Sequence, residues 1–413
     1  MTKKPENLTC IVTGDEIYYP GTKDDAIYER FVPDHGFDEY DSMMTELGAV
    51  ARRAIPVYER AVNESMGANS DKLILERLQD RDFIIDTLRE EVANKIQELL
   101  NAEFYEKRDA RFLKDLLLNC MLNKVSLRDI LRDILDEELV LTEGALSPNR
   151  AQACLLDDGR TFKFLKALSI HLQDLEENKD NIELVDAGSG PIPLFGLVAA
   201  LLSKKVNVTC LEIVPASARK AEEIIKSFHL EDRVKIICTD AITYQHDKDI
   251  DFLISETMYS GLTEEPIADI LNNLSSQVSE DAVIMPEWVS VDVGFVSREK
   301  LNSLNRRVSV SELDFGPVEV IRFTRGKFDK DLSFIIPIDD SISGSHRLAL
   351  MSKLGLYGDK IVLSGQDSFI TAPTLVGDAN KPFIDLSDCG EAKNLHVSYS
   401  LGDSGENVRT KTA

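Results

Sequence analysis

Four apolar runs in the middle of the chain each lead to an acidic residue, and a glycine turn follows the first. LVDAGSGPIPLFGLVAAL (184–201) carries Asp186, then Gly188 and Gly190; VNVTCLEI (206–213) reaches Glu212, RVKIICTDAITY (233–244) reaches Asp240, and DIDFLISE (249–256) ends on Glu256. Gly188 and Gly190 permit a sharp turn and a close approach of backbone to ligand, and the helix behind them is expected to offer unpaired N–H groups at its start. A dinucleotide fingerprint needs a third glycine at position 193, where this chain has Pro193, so a pyrophosphate cofactor is disfavoured.

The remaining pattern fits S-adenosylmethionine. The turn would hold the amino-acid arm, and Glu212, about 20 residues on, would take the ribose hydroxyls. Asp240 would reach the adenine edge; Asp186 would either touch the ligand or orient the turn. Amphipathic stretches such as ASARKAEEIIKSFHL alternate with the apolar runs, and that order predicts a Rossmann-like α/β domain with a parallel sheet.

Three regions are expected in the 413 residues: a helical domain over 1–147, the cofactor domain over 148–286 and a β-barrel-like domain over 287–413. Within the first, Ile85, Leu88, Val92, Ile96 and Leu99 recur at helical steps, and Ser126 with Asp129 resembles a capping box. Past Pro286, EWVSVDVGFVS, PVEVIRFT, LSFIIPI and KIVLSG alternate with period two between Gly, Asp and Ser turns.

Acidic residues outnumber basic ones 72 to 47, a net charge of −25 that repels phosphate backbones and excludes an extended nucleic-acid partner. MTKKPENLTC has no apolar core for a signal peptide, and no long apolar run follows, so a cytoplasmic protein without a membrane partner is expected. Cysteines at 10, 120, 154, 210, 238 and 389 form no Cys-x-x-Cys pair, and no His-Glu-x-x-His occurs, so neither disulfide framework nor metal is expected.

Residues 150–295 resemble the protein arginine methyltransferases. CLLDDGRTFKFLKAL (154–168) is similar to that family's helix before the cofactor strand, which implies that Arg160 grips the cofactor carboxylate through its two parallel N–H groups. SETMYSGLTEE (255–265) is similar to the family's double-glutamate loop, with Glu256 and Glu265 nine positions apart and Met258 near the reacting groups. The resemblance implies that the two carboxylates hold a guanidinium fork, localise its charge on the far nitrogens and offset repulsion between two cations in one pocket. Pro266 leaves a second reading open for Glu265, a helix start favoured by negative charge.

The family's Thr-His-Trp loop has no counterpart, because the single tryptophan is Trp288. That departure leaves cofactor binding intact and turns the expected acceptor from protein arginine to free L-arginine or another small guanidino molecule. The added helical region would support a homodimer or close the site. GSGPIPL (188–194) is also similar to nicotianamine synthase-like aminocarboxypropyl transferases, and an inactive adaptor that retains the fold is a third reading.

Overall fold

The computed structural model describes residues 11–13, 16–18, separate positions between 90 and 100, 157–262, 266–303, 308–337, 342, 346–365, 368, 370–375, 394–402 and 409–412. Strands β1 (Ile182–Ala187), β2 (Val206–Glu212), β3 (Val234–Cys238), β4 (Ile250–Ser255) and β5 (Val278–Met285) form a parallel sheet in the order β3-β2-β1-β4-β5. The strand order reverses between β1 and β4, and ligands of such sheets bind off the carboxyl ends of the strands at that switch point. β1 and β4 are buried along their whole length, as strands covered on both faces must be. This is the α/β architecture expected from the four apolar runs. β3 is shorter than its run: it stops at Cys238, so Asp240 lies in the loop beyond.

Four helices pack on this sheet: α1 (Asp158–Glu176), α2 (Leu194–Leu202), α3 (Pro215–Ser227) and α4 (Ile267–Leu274). Asp157 caps α1, its carboxylate accepting from the Arg160 N–H at 3.3 Å. α3 starts with Pro215 in its first turn and ends near Lys226, with Ala218, Ala221, Ile224 and Ile225 on its buried face. α2 is apolar on nearly all sides and lies so close to β2 that a Cβ on Gly196 would come within 2.5 Å of Cys210 Sγ. The close helix–strand contact that a glycine at 193 would have served is supplied three residues later.

After β5 the chain turns at once into antiparallel structure. β6 (Trp288–Ser297), β7 (Phe315–Thr324), β9 (His346–Tyr357) and β10 (Ile361–Ser364) form a sheet in the order β10-β9-β6-β7, with β11 (Thr374–Leu375) also on β9. β8 (Asp331–Pro337), β12 (Asn394–Ser400) and β13 (Arg409–Thr412) make a second sheet in the order β8-β12-β13. Leu332, Ile336, Leu395 and Val397 of the second sheet share one apolar core with Val289, Val291, Val293 and Leu354 of the first, giving the expected barrel-like region. α5 (Arg298–Ser303) follows β6.

Period two missed β9, the longest strand among the described residues, because HRLALMSKLGLY, paired along its edges with β6 and β10, is buried on both faces and so does not alternate. β6 does alternate in sequence, yet its polar face is also buried: Ser290 and Asp292 are both 0% exposed, and Asp292 accepts from the Ser290 hydroxyl at 3.0 Å and forms an ion pair with Lys353 Nζ of β9 at 2.5 Å.

α1 is tied to the antiparallel region. Lys163 Nζ donates to the Val362 carbonyl at 2.9 Å, His171 Nε2 meets the Leu356 carbonyl at 2.8 Å, and the Tyr357 hydroxyl donates to Asp174 at 2.9 Å. Burial lowers the His171 pKa, so the ring is neutral and Nε2–H is the donor.

The expected helical domain lies largely outside the described residues, as does the capping box at Ser126. Positions 90, 93, 94, 96–98 and 100 are helical, and Ile96 and Leu100 belong to the main core. A short hairpin pairs Ile11–Thr13 with Glu16–Tyr18. Among the described residues no helix is long and apolar enough to cross a membrane.

Candidate functional site

The carboxyl ends of β1, β2 and β4 converge on the glycine turn. Gly188 and Gly190 adopt φ +84° and +68°, a region costly for any residue with a Cβ. Space is equally restrictive at the first, where a Cβ would lie 2.2 Å from Thr257 Cγ2 in the loop after β4. The N–H groups of the turn are already engaged: those of Gly188 and Ser189 donate to the Leu211 carbonyl at 2.9 and 3.0 Å, and that of Gly190 donates to Glu212 Oε2 at 2.8 Å. The turn's own N–H groups thus tie β1 to β2, and what the turn itself gives a ligand is room.

Glu212 also accepts from the Val214 N–H at 2.7 Å through its other oxygen. Burial raises its pKa against these N–H contacts. A carboxylate has about four lone-pair sites, so two backbone donors leave capacity for hydroxyl groups.

Asp186 is buried and accepts from the Gly196 N–H at 3.1 Å, joining β1 to the first turn of α2. Burial pushes its pKa up to about 7; the Gly196 N–H opposes the rise, while the charges of Glu212 and Glu256 add to it. Asp240 is half-buried and closes its own turn by accepting from the Ile242 N–H at 2.9 Å.

Across the turn, Arg160 Nη1 lies 2.8 Å from Glu256 Oε1, with both side chains nearly buried. Burial raises the Glu256 pKa to about 7, Arg160 pulls it down, and Asp157 pushes it further up. The two form a close, buried ion pair that holds Oε1 in the site. Ser189 Oγ in the glycine turn is buried and has no hydrogen-bond partner. Buried polar atoms are rarely left in this state unless a ligand or water completes them.

Of the residues singled out in the sequence, Arg160, Asp186, Gly188, Gly190, Glu212 and Glu256 are thus brought into one electrostatically connected group. Asp240 stands just past β3. Met258 is 1% exposed and packs in the main core beneath the loop. Glu265 lies outside the described residues. Two contributors were not foreseen. Asp157 acts on Glu256 by its charge and accepts from the Ser368 hydroxyl; an aspartate three residues before Arg160 at a helix start was the available signal. Ser255, whose hydroxyl donates to the Ala187 carbonyl at 3.1 Å and meets Thr257 Oγ1 at 2.9 Å, fixes the loop base and has no signature in sequence.

No protein-family model matches the chain. An uncharacterized protein of Methanocaldococcus jannaschii is 24% identical over 259 residues, which is 59% of this chain and 91% of that protein. Among solved structures, the Trypanosoma brucei PRMT1 enzyme–prozyme heterotetrameric complex with AdoHcy is similar over 60% of this chain and 86% of its own, with a TM-score of 0.44 and 16% identity. An open conformation of Arabidopsis thaliana protein arginine methyltransferase 10 is similar over 61% of this chain and 87% of its own, with a TM-score of 0.45 and 12% identity.

Proposed function

We propose that the chain is an S-adenosylmethionine-dependent N-methyltransferase acting on a guanidino group, with free L-arginine or a related small molecule as acceptor. The observation that carries this reading is the buried Arg160–Glu256 ion pair beside a glycine turn whose Ser189 hydroxyl is buried without a hydrogen-bond partner, at the switch point of the sheet. The donor set fits the cofactor: a guanidinium for its carboxylate in Arg160, an acid for its ribose in Glu212, and the bare surface of Gly188 for its arm. A guanidinium carries five N–H donors, so contact with Glu256 through one nitrogen is compatible with a second carboxylate partner.

When bound, S-adenosylmethionine supplies a sulfonium methyl, an electrophile that needs only an aligned nucleophile. Aligning that nucleophile falls to the protein. Glu256 Oε1 accepts an N–H of the acceptor guanidinium and concentrates positive charge on the nitrogens nearest the carboxylate, leaving the target nitrogen richer in electrons. Glu265 is proposed to grip the same fork from the other side. The proton that the methylated nitrogen gives up passes to Glu256, whose carboxyl titrates near neutrality. Arg160 keeps Glu256 aimed and partly ionised in a site that burial would otherwise neutralise.

Incubation with methyl-labelled cofactor and separate pools of free arginine, agmatine and a Gly-Arg-rich polypeptide tests the reading, with product mass distinguishing a methyl from an aminocarboxypropyl group. Label on a small guanidino molecule is the expected result. Label confined to the polypeptide would move the acceptor to protein arginine, and bound cofactor with no labelled product would remove methyl transfer altogether.

A further inference from the structure

The loop after β4 is held at its far end by the antiparallel region. Residues Ser260–Leu262 form a single tight turn in which Gly261 (φ +70°) and Leu262 (φ +57°) are both left-handed, a conformation that is costly for a leucine and persists only when its surroundings impose it. Those surroundings are specific. The Gly261 N–H donates to Ser352 Oγ of β9 at 2.9 Å, and the Gly261 carbonyl accepts from the Tyr399 hydroxyl of β12 at 2.7 Å. The Leu262 carbonyl accepts from the Gly402 N–H at 3.0 Å, and the Ser260 hydroxyl donates to the Ala372 carbonyl. Ser352 and Tyr399 are buried, as is the turn. Two strands from different sheets thus supply side chains to both polar groups of one peptide residue, five positions after Glu256.

We infer that Ser352 and Tyr399 are positioning residues, which clamp the 260–262 turn and thereby set the placement of the Glu256 loop against the glycine turn. The start of that loop, which carries Glu256, is held by Ser255 and Thr257 under Gly188; the clamp holds the loop's other end five positions on, so the loop cannot shift as a body away from the glycine turn. Burial keeps the Tyr399 phenol protonated and donating throughout the working pH range. The role rests on the proposed methyl transfer for its kinetic consequence, but the clamp itself does not.

Tyr399→Phe retains the ring that packs edge-on against Phe334 and removes only the hydroxyl; Ser352→Ala removes the other contact. Tyr357→Phe serves as a control, since it deletes a tyrosine hydroxyl of the same region that bonds α1 instead of the loop. Amide hydrogen exchange over 256–262 should quicken about tenfold or more in the first two variants and not in the control. Turnover should fall about tenfold to 100-fold, the scale of a small misplacement, while S-adenosylhomocysteine affinity stays within about twofold of the unmodified protein. Unchanged exchange in both variants overturns the inference, as does faster exchange with unaltered turnover. If the unmodified chain methylates no acceptor, the functional reading fails by itself, and the exchange measurement still decides whether the clamp exists.

Discussion

Replacing Glu256 by Gln should disable turnover and stabilise the protein at the same time. The carboxyl is held at about 7 against a usual 4.5. Each tenfold change in proton affinity is worth about 1.36 kcal/mol. Because the folded value is the higher one, the unfolded chain ionises first as pH rises, and stability is lost between 4.5 and 7. Integrated, the penalty is about 1 kcal/mol at pH 5 and about 3 kcal/mol at pH 7 and above. An opposing effect must be weighed: breaking a fully formed buried ion pair costs about 3–5 kcal/mol. It does not apply here, because a titration near 7 means that the ionised and neutral forms beside Arg160 are already about equal in energy at neutral pH, and a neutral amide resembles the second. The Gln variant is therefore expected to melt higher than the unmodified protein at pH 8, with the gap narrowing by pH 5, while turnover falls about 100-fold. Thermal melts at the two pH values and a single-turnover assay measure both. A variant that melts lower at pH 8 and keeps its turnover would show that Glu256 is only a structural partner of Arg160, and the proposed chemistry would have lost its centre.

Arg160→Ala should weaken S-adenosylhomocysteine binding about tenfold or more by calorimetry, since a charge-assisted bond to a carboxylate is worth about 1.5–3 kcal/mol; unaltered affinity in a folded variant would leave Arg160 serving Glu256 alone. Gly188→Ala combines a left-handed φ with a Cβ placed 2.2 Å from Thr257 Cγ2, so it should lower the melting temperature and abolish cofactor binding together, and a variant that binds normally would contradict the crowding of the turn. Asp186→Asn should flatten the pH dependence of stability between about 4 and 7 by up to about 1.4 kcal/mol per pH unit, because the folded carboxyl titrates near 7 and the unfolded one near 3.8; parallel stability curves for the variant and the unmodified protein would place Asp186 among ordinary carboxyls.

The parallel sheet was legible because β1 and β4 are buried on both faces and, with β2, read as apolar runs that end on or next to an acidic residue at the carboxyl edge. Asp186, Glu212 and Glu256 could be picked out on that ground alone. Their partners could not. Glu212 reaches back 22 positions to Gly190, Asp186 reaches forward to Gly196, and Arg160 meets Glu256 across the sheet, contacts set by the winding of the fold and not by local pattern. The antiparallel region was harder for a related reason: alternation marks a strand with one wet face, and β9 has none. Ser352 and Tyr399 sit on strands whose polar residues look like ordinary outward positions, so their role in holding Gly261 follows only from the packing of two sheets against one loop.

The charges gathered at the turn also constrain what can bind there. Asp186, Glu212 and Glu256 are buried together, and repulsion from Glu212 and Glu256 helps to raise the pKa of Asp186, while Arg160 is a cation paired with this group. Adding an anionic pyrophosphate to such a site would set its charges against carboxylates that burial already leaves poorly screened. A cofactor with an ammonium and a sulfonium, followed by a guanidinium acceptor, does the reverse: each cation lowers the cost of ionising the carboxylates, and each ionised carboxylate strengthens the hold on the next cation. On the proposed function, the same burial that makes the site expensive for the empty protein favours cationic ligands.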